Sequence, residues 1–588
     1  MRFNRNILSL ILLVSALAYT LWFVFAGFGN HQDPLYWLYK YEHMEGGWMA
    51  VGTLLTGGAV VRLFGAQLLP LRLFGWLCTV AAIALPYACL LTPGQRRENL
   101  HWLALAYLLM GYGAFQEFSP GTLSVLLLSA VWVLADKERN NPSASWGWGT
   151  AILAGLAVAA RFPNILVLLV LIPVWKKRSL WAIPLAALAA GLVYLLGCLF
   201  VTPAVTDSSM TAAHEISNMV SKLWENGGKL VGYILLAVGI LAVINHLSSI
   251  INHHLTIPLG LFTGLALVYF ACFTTRPLQW YNTDLTYLVS AFCLVMAVCS
   301  KSPEANYRLL IGAALMVVAT LGTDTAWLKL FPAVLCLLAV AAVRHPEPER
   351  NCLWCVLAVL AVLVVFRMTT NSIGQSNLTR AATIASVSPY KGIAIRETEQ
   401  KRLLQYKADY DSLLNAPMLN AQMVNAPYGE ADRSTGGRLE MVNVQMVNAQ
   451  MVNAPMLNAQ MVNAQMVNDQ MVNDQMVNDQ MVNDQMVNVL ALGQEAHLMR
   501  AVTGCEAARY NEFWSNIFDS LYTAKYRDII QSEYPVVFCS FTPQFKTKPE
   551  YTDGDSEMER MLLKEGYTPL DRKEYKYMIY LPPNTIHE

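Results

Sequence analysis

The residues of this chain best suited to chemistry are acids and arginines that border or interrupt long apolar runs. Asp33 stands just beyond the first such run, between His31 and Pro34. Tyr36, Trp37, Tyr39 and Tyr41 follow it, then a second polar cluster of Glu42, His43 and Glu45. A carboxylate at the mouth of a membrane span meets the polar head of any lipid-borne substrate, and ionisable groups so near hydrocarbon are functional candidates by default. The aromatic residues by themselves suit an interfacial belt. Glu117, in QEFSP, borders a later run. Arg161 breaks an apolar stretch of about 25 residues, where an arginine is costly unless it is paired or meets a phosphate. Arg276, in TTRPLQWYNTD, is accompanied by Trp280, Tyr281 and Asp284, a set suited to an anion or a sugar. Arg72 closes the segment from Gly27 that Asp33 opens. Asp207, His214 and Glu215 read as a solvated helix, and His253 and His254 carry no role.

These groups need a membrane scaffold. Of 588 residues, 55% are hydrophobic and 14% charged, against roughly a quarter charged in a soluble domain. The deficit falls on residues 1–367, while 368–588 are ordinarily polar. The formal net charge of +0 gives no electrostatic case for nucleic acid. MRFNRN followed by a long apolar run reads as a retained first span and not as a cleavable signal. A span needs about 20 apolar residues. The candidates are 7–27, 71–91, 100–116, 121–135, 149–160, 162–175, 179–202, 229–245, 255–273, 283–300, 307–322, 328–343 and 352–367, about thirteen in all.

Basic residues orient them. Arg2 and Arg5, Arg96 and Arg97, Lys137 and Arg139, Lys176 to Arg178, and Arg344 and Arg350 fall on alternate loops, which the charge rule places in the cytoplasm. Loops 28–70, 116–120, 203–228 and 274–282 then face outside, as does the C-terminal part. Residues 47–65 are apolar enough to span but glycine-rich. Reading them as an interfacial helix keeps the basic loops on one side, whereas a span would invert every later loop.

Beyond residue 367, residues 391–415 read as a short strand and an amphipathic helix. VLALG, YPVVFCSF and YKYMIYLPP read as strands, with EAHLMRAVTG and ERMLLKEGY as helices. This alternation predicts a small α/β domain from 368–440 and 489–588. Between the two parts, residues 441–488 repeat MVN(A/D)Q every five residues, a period matching neither a helix face nor a solenoid. They read as a low-complexity, disordered surface insertion grown by expansion of the coding DNA. A methionine-rich metal array is the weaker reading, since alternating Asn and Asp make no defined cage. Of eleven cysteines, Cys352 and Cys355 form an isolated CxxC read as packing. Cys505 and Cys539 would be free to pair in an oxidising compartment.

Taken in order, these features resemble the GT-C superfamily of polytopic glycosyltransferases, in its bacterial branch with lipid A aminoarabinose transferase and the protein O-mannosyltransferases. The resemblance rests on the acid of HQDPLYW, the loop closing RLFGAQLLPLR, the basic turn GQRREN, the acid of QEFSP, and the helix pair broken at GLAVAARFPNILVL. It covers most of residues 1–367 and, more weakly, the C-terminal domain. Two positions depart from the pattern. Ser119 precedes Pro120 where relatives usually carry an aspartate, and Pro34 follows Asp33 where many carry a second acid.

The resemblance implies an inner-membrane, multi-pass enzyme with a periplasmic C-terminal domain. It would move a sugar from a polyprenyl-phosphate donor to a lipid, glycan or protein acceptor, in contact with membrane lipids. Asp33 is then the general base, Glu117 a second catalytic-site carboxylate that binds the acceptor or a divalent cation (Mg or Mn), and Arg161, Arg276, Tyr281, Arg72, Glu42 and His43 the substrate-binding set. The rival classes are a flippase or transporter of a lipid-linked saccharide, for which no inverted internal repeat is visible, and a non-catalytic assembly protein.

Overall fold

Twenty-one residues with no charge after Arg5 form the first helix, α1 (Arg5–Phe25), whose outer face is a column of exposed Ile7, Leu8, Ile11 and Val14. An apolar column turned outward costs free energy in water and none in hydrocarbon. A computed structural model describes the chain at residues 5–27, 32–46, 48–110, 115, 117–140, 144–203, 383–414, 489–493, 496–503, 534–540, 560–572 and 577–583, with single residues between 228 and 318 and between 527 and 532. These residues are mostly helical. Four stretches among them are long and apolar enough to cross a membrane: Asn6–Phe25, Leu68–Leu90, Pro120–Asn140 and Phe162–Phe200. The expected spans from 255 to 300 and from 328 to 367, and the repeat array at 441–488, lie outside the described residues. The chain divides into two units, Met1–Gln400 and Lys401–Glu588.

In the first unit α1 is followed by α2 (Gln32–His43), a short 3-10 turn (Trp48–Ala50), α3 (Val51–Phe64), α4 (Leu68–Leu90), α5 (Pro93–Glu98), α6 (Leu100–Leu109), α7 (Pro120–Asn140), α8 (Ala144–Ala160), a second 3-10 turn (Phe162–Leu166), α9 (Val167–Trp175) and α10 (Ser179–Phe200). Within the expected span at 100–116, α6 covers Leu100–Leu109, and residues 111–114 and 116 lie outside the described residues. Lys176 adopts φ 52° where α9 gives way to α10. α5 starts on a capping box, Thr92 with Gln95, with Pro93 at its first turn, where a proline lacks only an amide that the helix would leave unbonded.

Small residues let the long helices approach. A Cβ on Gly155 of α8 would lie 2.2 Å from Ala186 O of α10, and one on Gly149 would lie 3.1 Å from Leu134 of α7. Such close backbone approach is how helices associate without a hydrophobic drive between them. The core between them is apolar and includes Trp132, Val125, Leu128, Ala151, Ala154, Leu171 and Trp175.

The contacts also fix direction. Glu138 lies against Gly147, and Ser124 bonds Asn164, so α7 and α8 are antiparallel. Gly147 meets Trp181 and Gly155 meets Ala186, so α10 runs alongside α8 in the same sense. Every basic cluster among these helices therefore sits at one end. There Arg178 faces the buried Glu138 at 3.5 Å, Lys137 covers the Trp146 ring at 4.9 Å, and the Tyr87 hydroxyl donates to the Arg96 carbonyl.

The second unit contains most of an amphipathic helix, α11 (Glu397–Leu414), and a four-stranded sheet. The strands are β5 (Val489–Gly493), β6 (Val536–Ser540), β7 (Thr568–Arg572) and β8 (Tyr577–Leu581), in the order β5-β6-β8-β7. β5 and β6 are parallel, and β8 is antiparallel to both β6 and β7. A helix, α12 (Ala496–Thr503), follows β5. Strand β7 was not expected, because TPLDR carries Pro569 and Asp571; it lies at the sheet edge, the one place where proline costs no ladder bond. Asp409 of α11 ties the unit together: it accepts from Arg572 Nε at 2.9 Å and Nη2 at 3.1 Å, from Tyr577 OH at 2.5 Å and from Gln405 Nε2 at 2.9 Å.

Candidate functional site

The end of the first unit opposite the basic clusters collects the chain segments that carry the candidate residues. α2 begins there, with Asp33 its second residue. It packs on α3 through two glycines: a Cβ on Gly57 would lie 2.4 Å from the Tyr41 ring, and one on Gly58 would lie 2.1 Å from Met44 Sδ. Only a residue without a side chain permits that approach. Tyr41, stacked on Trp37 at 5.9 Å between centroids, donates its hydroxyl to the Phe118 carbonyl at 3.0 Å. Burial, and then the neighbouring Glu117 carboxylate, raise the Tyr41 phenol well above its ordinary value, so it remains a proton donor throughout the neutral range.

Glu117 is half-buried just before α7 begins at Pro120. It accepts from Ser119 Oγ at 3.4 Å, and Thr122 Oγ1 bonds its carbonyl at 3.4 Å. α4 reaches the same segment, since a Cβ on Gly75 would lie 2.0 Å from Glu117 O. One turn earlier on α4, Arg72 is 1% exposed and donates from Nη1 to Gly27 O at 2.9 Å. Gly27, at φ 94°, is where the chain leaves α1, and its amide bonds Ala394 O at 2.8 Å. Ala394 belongs to β4 (Ala394–Ile395), which pairs with β3 (Thr383–Ile384). Arg72 thus bonds the backbone at the exit of α1.

Arg161 lies at the end of α8 and is 8% exposed. The first turn of α3 docks on it: Thr53 Oγ1 donates to Ala160 O at 2.9 Å, and a Cβ on Gly52 would lie 3.0 Å from Ala159 C. The last turn of α10 arrives beside them, with Gly197 against Val51. Just beyond it β2 (Thr202–Pro203) pairs in parallel with β1 (Glu45–Gly46). α3 thus starts beside Arg161 and ends at Phe64, four residues before α4 begins near Gly27 and Glu117. Both of its ends lie at the same end of the long helices, so it crosses over them and does not run between them.

No protein-family model and no curated protein matches the chain.

The geometry brings Glu117, Arg161 and the helix carrying Asp33 to one end of the helices. His43 and Glu42 are exposed at the other end of α2. His43 stacks on Tyr39 at 4.1 Å, and Tyr39 in turn donates to Glu45 at 3.2 Å. Arg276 and Tyr281, with Trp280, Asp284, Asp207, His214, Glu215, His253 and His254, lie outside the described residues. Among the described residues no three His, Cys, Asp or Glu side chains gather as a metal site would require, and the Ser119 hydroxyl lies against the Glu117 carboxylate.

Several residues at this end escaped sequence reading. Lys40 is buried over the Tyr36 ring at 4.6 Å, inside what reads as an aromatic belt. Thr53, Ser124 and Asn164 are fully buried. Asn164 Nδ2 donates to Ser124 Oγ and to Ala157 O, both at 2.7 Å. Lone polar residues within apolar runs carry no periodicity, and the one available signal was their cost in hydrocarbon.

Proposed function

We propose that this protein is an integral-membrane glycosyltransferase of about thirteen spans, set in the inner membrane with its C-terminal α/β domain in the periplasm. It transfers a sugar from a polyprenyl-phosphate donor to a periplasmic acceptor. The observation that carries the reading is segregation. The Asp33 helix, Glu117 and Arg161 lie at one end of the helices, while Arg96, Arg97, Lys137, Arg139 and Lys176 to Arg178 lie at the other. Under the charge rule the second end is cytoplasmic, and the first then meets the outer leaflet, where a lipid-linked sugar presents its head group. The crossing of α3 supports this, since a helix that returns to the same end inverts no loop.

The chemistry asks little of the leaving group, because a lipid phosphate departs readily once its charge is met. Asp33 takes the proton from the acceptor hydroxyl or amine. The freed electron pair attacks the anomeric carbon. The bond from that carbon to the phosphate oxygen breaks, and the pair leaves on the phosphate. Arg161 stabilises the charge that develops there, in surroundings dry enough to strengthen the interaction. Glu117, held by Ser119, orients the acceptor.

Positioned general bases contribute about 10²–10⁴-fold. Asp33→Asn in membranes supplied with a polyprenyl-phosphate sugar therefore reduces transfer by at least about a hundredfold. Transfer at the wild-type rate would remove Asp33 as the base.

A further inference from the structure

We propose that Thr53 and Asn164 are positioning residues that hold Arg161 for the phosphate of the lipid-linked donor, an inference that rests on the transferase reading above. Arg161 is a break in the helix, with extended φ −158° and ψ 114°. A break at membrane depth frees carbonyls that hydrocarbon cannot satisfy. Here each is met. Ala160 O takes the Thr53 hydroxyl at 2.9 Å. Ala157 O takes both Arg161 N at 3.1 Å and Asn164 Nδ2 at 2.7 Å. Arg161 O takes Asn164 N at 2.9 Å. Asn164 is itself anchored to Ser124 on α7 at 2.7 Å.

Two buried polar side chains, Thr53 of α3 and Asn164 of the turn after α8, are thus spent on the backbone around one arginine, and a third, Ser124 of α7, holds the Asn164 amide. The peptide before Arg161 is pinned from α3, and the turn after it is pinned from α7. A break that needed only satisfaction would be served by adjacent residues of its own chain. Bonds from two other helices make the position of Arg161 depend on the first external loop, which also carries Asp33. Arginine recognises phosphate with a rigid planar fork, so a small rotation of its backbone costs paired contacts that a flexible lysine would keep. Thr53 and Asn164 touch no substrate in this scheme, and they act through Arg161.

The test uses the full chain in lipid nanodiscs and polyprenyl phosphate without a sugar as the probe. Thr53→Val is close in volume and lacks the hydroxyl; Asn164→Leu lacks the amide; Thr53→Ser restores the hydroxyl. Val and Leu weaken lipid-phosphate binding about tenfold each. In transfer assays both raise the donor KM by a similar factor and also lower kcat, since Arg161 meets the charge of the transition state as well as the bound phosphate. Thr53→Ser binds as wild type, which separates positioning from a folding defect. Wild-type binding by a folded Thr53→Val and a folded Asn164→Leu overturns the proposal and leaves the transferase reading standing. Failure of the wild-type protein to bind lipid phosphate overturns both.

Discussion

Replacing Gly75 with alanine drives a methyl group into the backbone of the Glu117 segment. The added Cβ would lie 2.0 Å from Glu117 O, 2.6 Å from its carbonyl carbon and 3.1 Å from Phe118 N. Ordinary contact begins at 3.4 Å, so α4 and the 117–118 segment must separate by about 1.4 Å, the difference between those distances. No side chain can yield instead, because the atoms met are main chain. Neither partner moves freely: Phe118 is held by Tyr41, and α4 is held one turn away by Arg72 on Gly27. Overpacking of this kind costs about 1–3 kcal/mol, and a displacement of about 1 Å near a reacting group costs about a hundredfold in rate. Gly75→Ala is expected to fold with a lowered melting temperature and to lose about a hundredfold in sugar transfer. Thermal melting of the purified protein and transfer in nanodiscs read the two effects separately. A variant equal to wild type in both would refute the close approach of α4 to Glu117 and its link to activity.

Tyr41→Phe removes the one described bond to the Phe118 carbonyl; it is expected to cost about 1–3 kcal/mol of stability by leaving a buried acceptor unmet, as thermal melting would show. Asp409→Ala removes the acceptor of Arg572 and Tyr577 in the C-terminal unit and should destabilise that unit by about 1–3 kcal/mol, measured by proteolysis of the full-length protein. Leu192 is 54% exposed on the outer face of α10; Leu192→Arg adds about 2.5–3.5 kcal/mol to insertion, and carbonate extraction would show loss from the membrane pellet. Retention of that variant at wild-type level would argue against lipid on this face.

Much of the architecture could be read from composition because the bilayer imposes it. Apolar length and the loops carrying Arg96, Lys137 and Lys176 anticipate α1, α4, α7 and α10, with α4 and α7 running opposite to α1 and α10. In the C-terminal unit VLALG, YPVVFCSF and YKYMIYLPP announce β5, β6 and β8, since a buried strand has little choice but Val, Ile, Leu and aromatic residues. TPLDR did not, because its proline is acceptable only at an edge, and edge position is a property of the sheet and not of the segment. The candidate end was legible in part. Glu117 and Arg161 stand out by their cost. Thr53, Ser124 and Asn164 do not, for each is short, neutral and alone, and their shared purpose exists only where three helices meet. The described contact of Arg72 with Gly27 O was likewise invisible, since its partner is a backbone atom 45 residues away.

The Asp409 cluster draws its members from both flanks of the pentapeptide array: Asp409 precedes it, and Arg572 and Tyr577 follow it. Gain or loss of one five-residue unit changes the number of residues between Leu414 and Val489 and leaves Asp409, Arg572 and Tyr577 themselves in the chain. Closing a flexible loop costs only about 0.6 kcal/mol more for each doubling of its length. Alleles differing by whole multiples of fifteen nucleotides are therefore expected to fold to the same sheet, with thermal melting of variants of different copy number as the check.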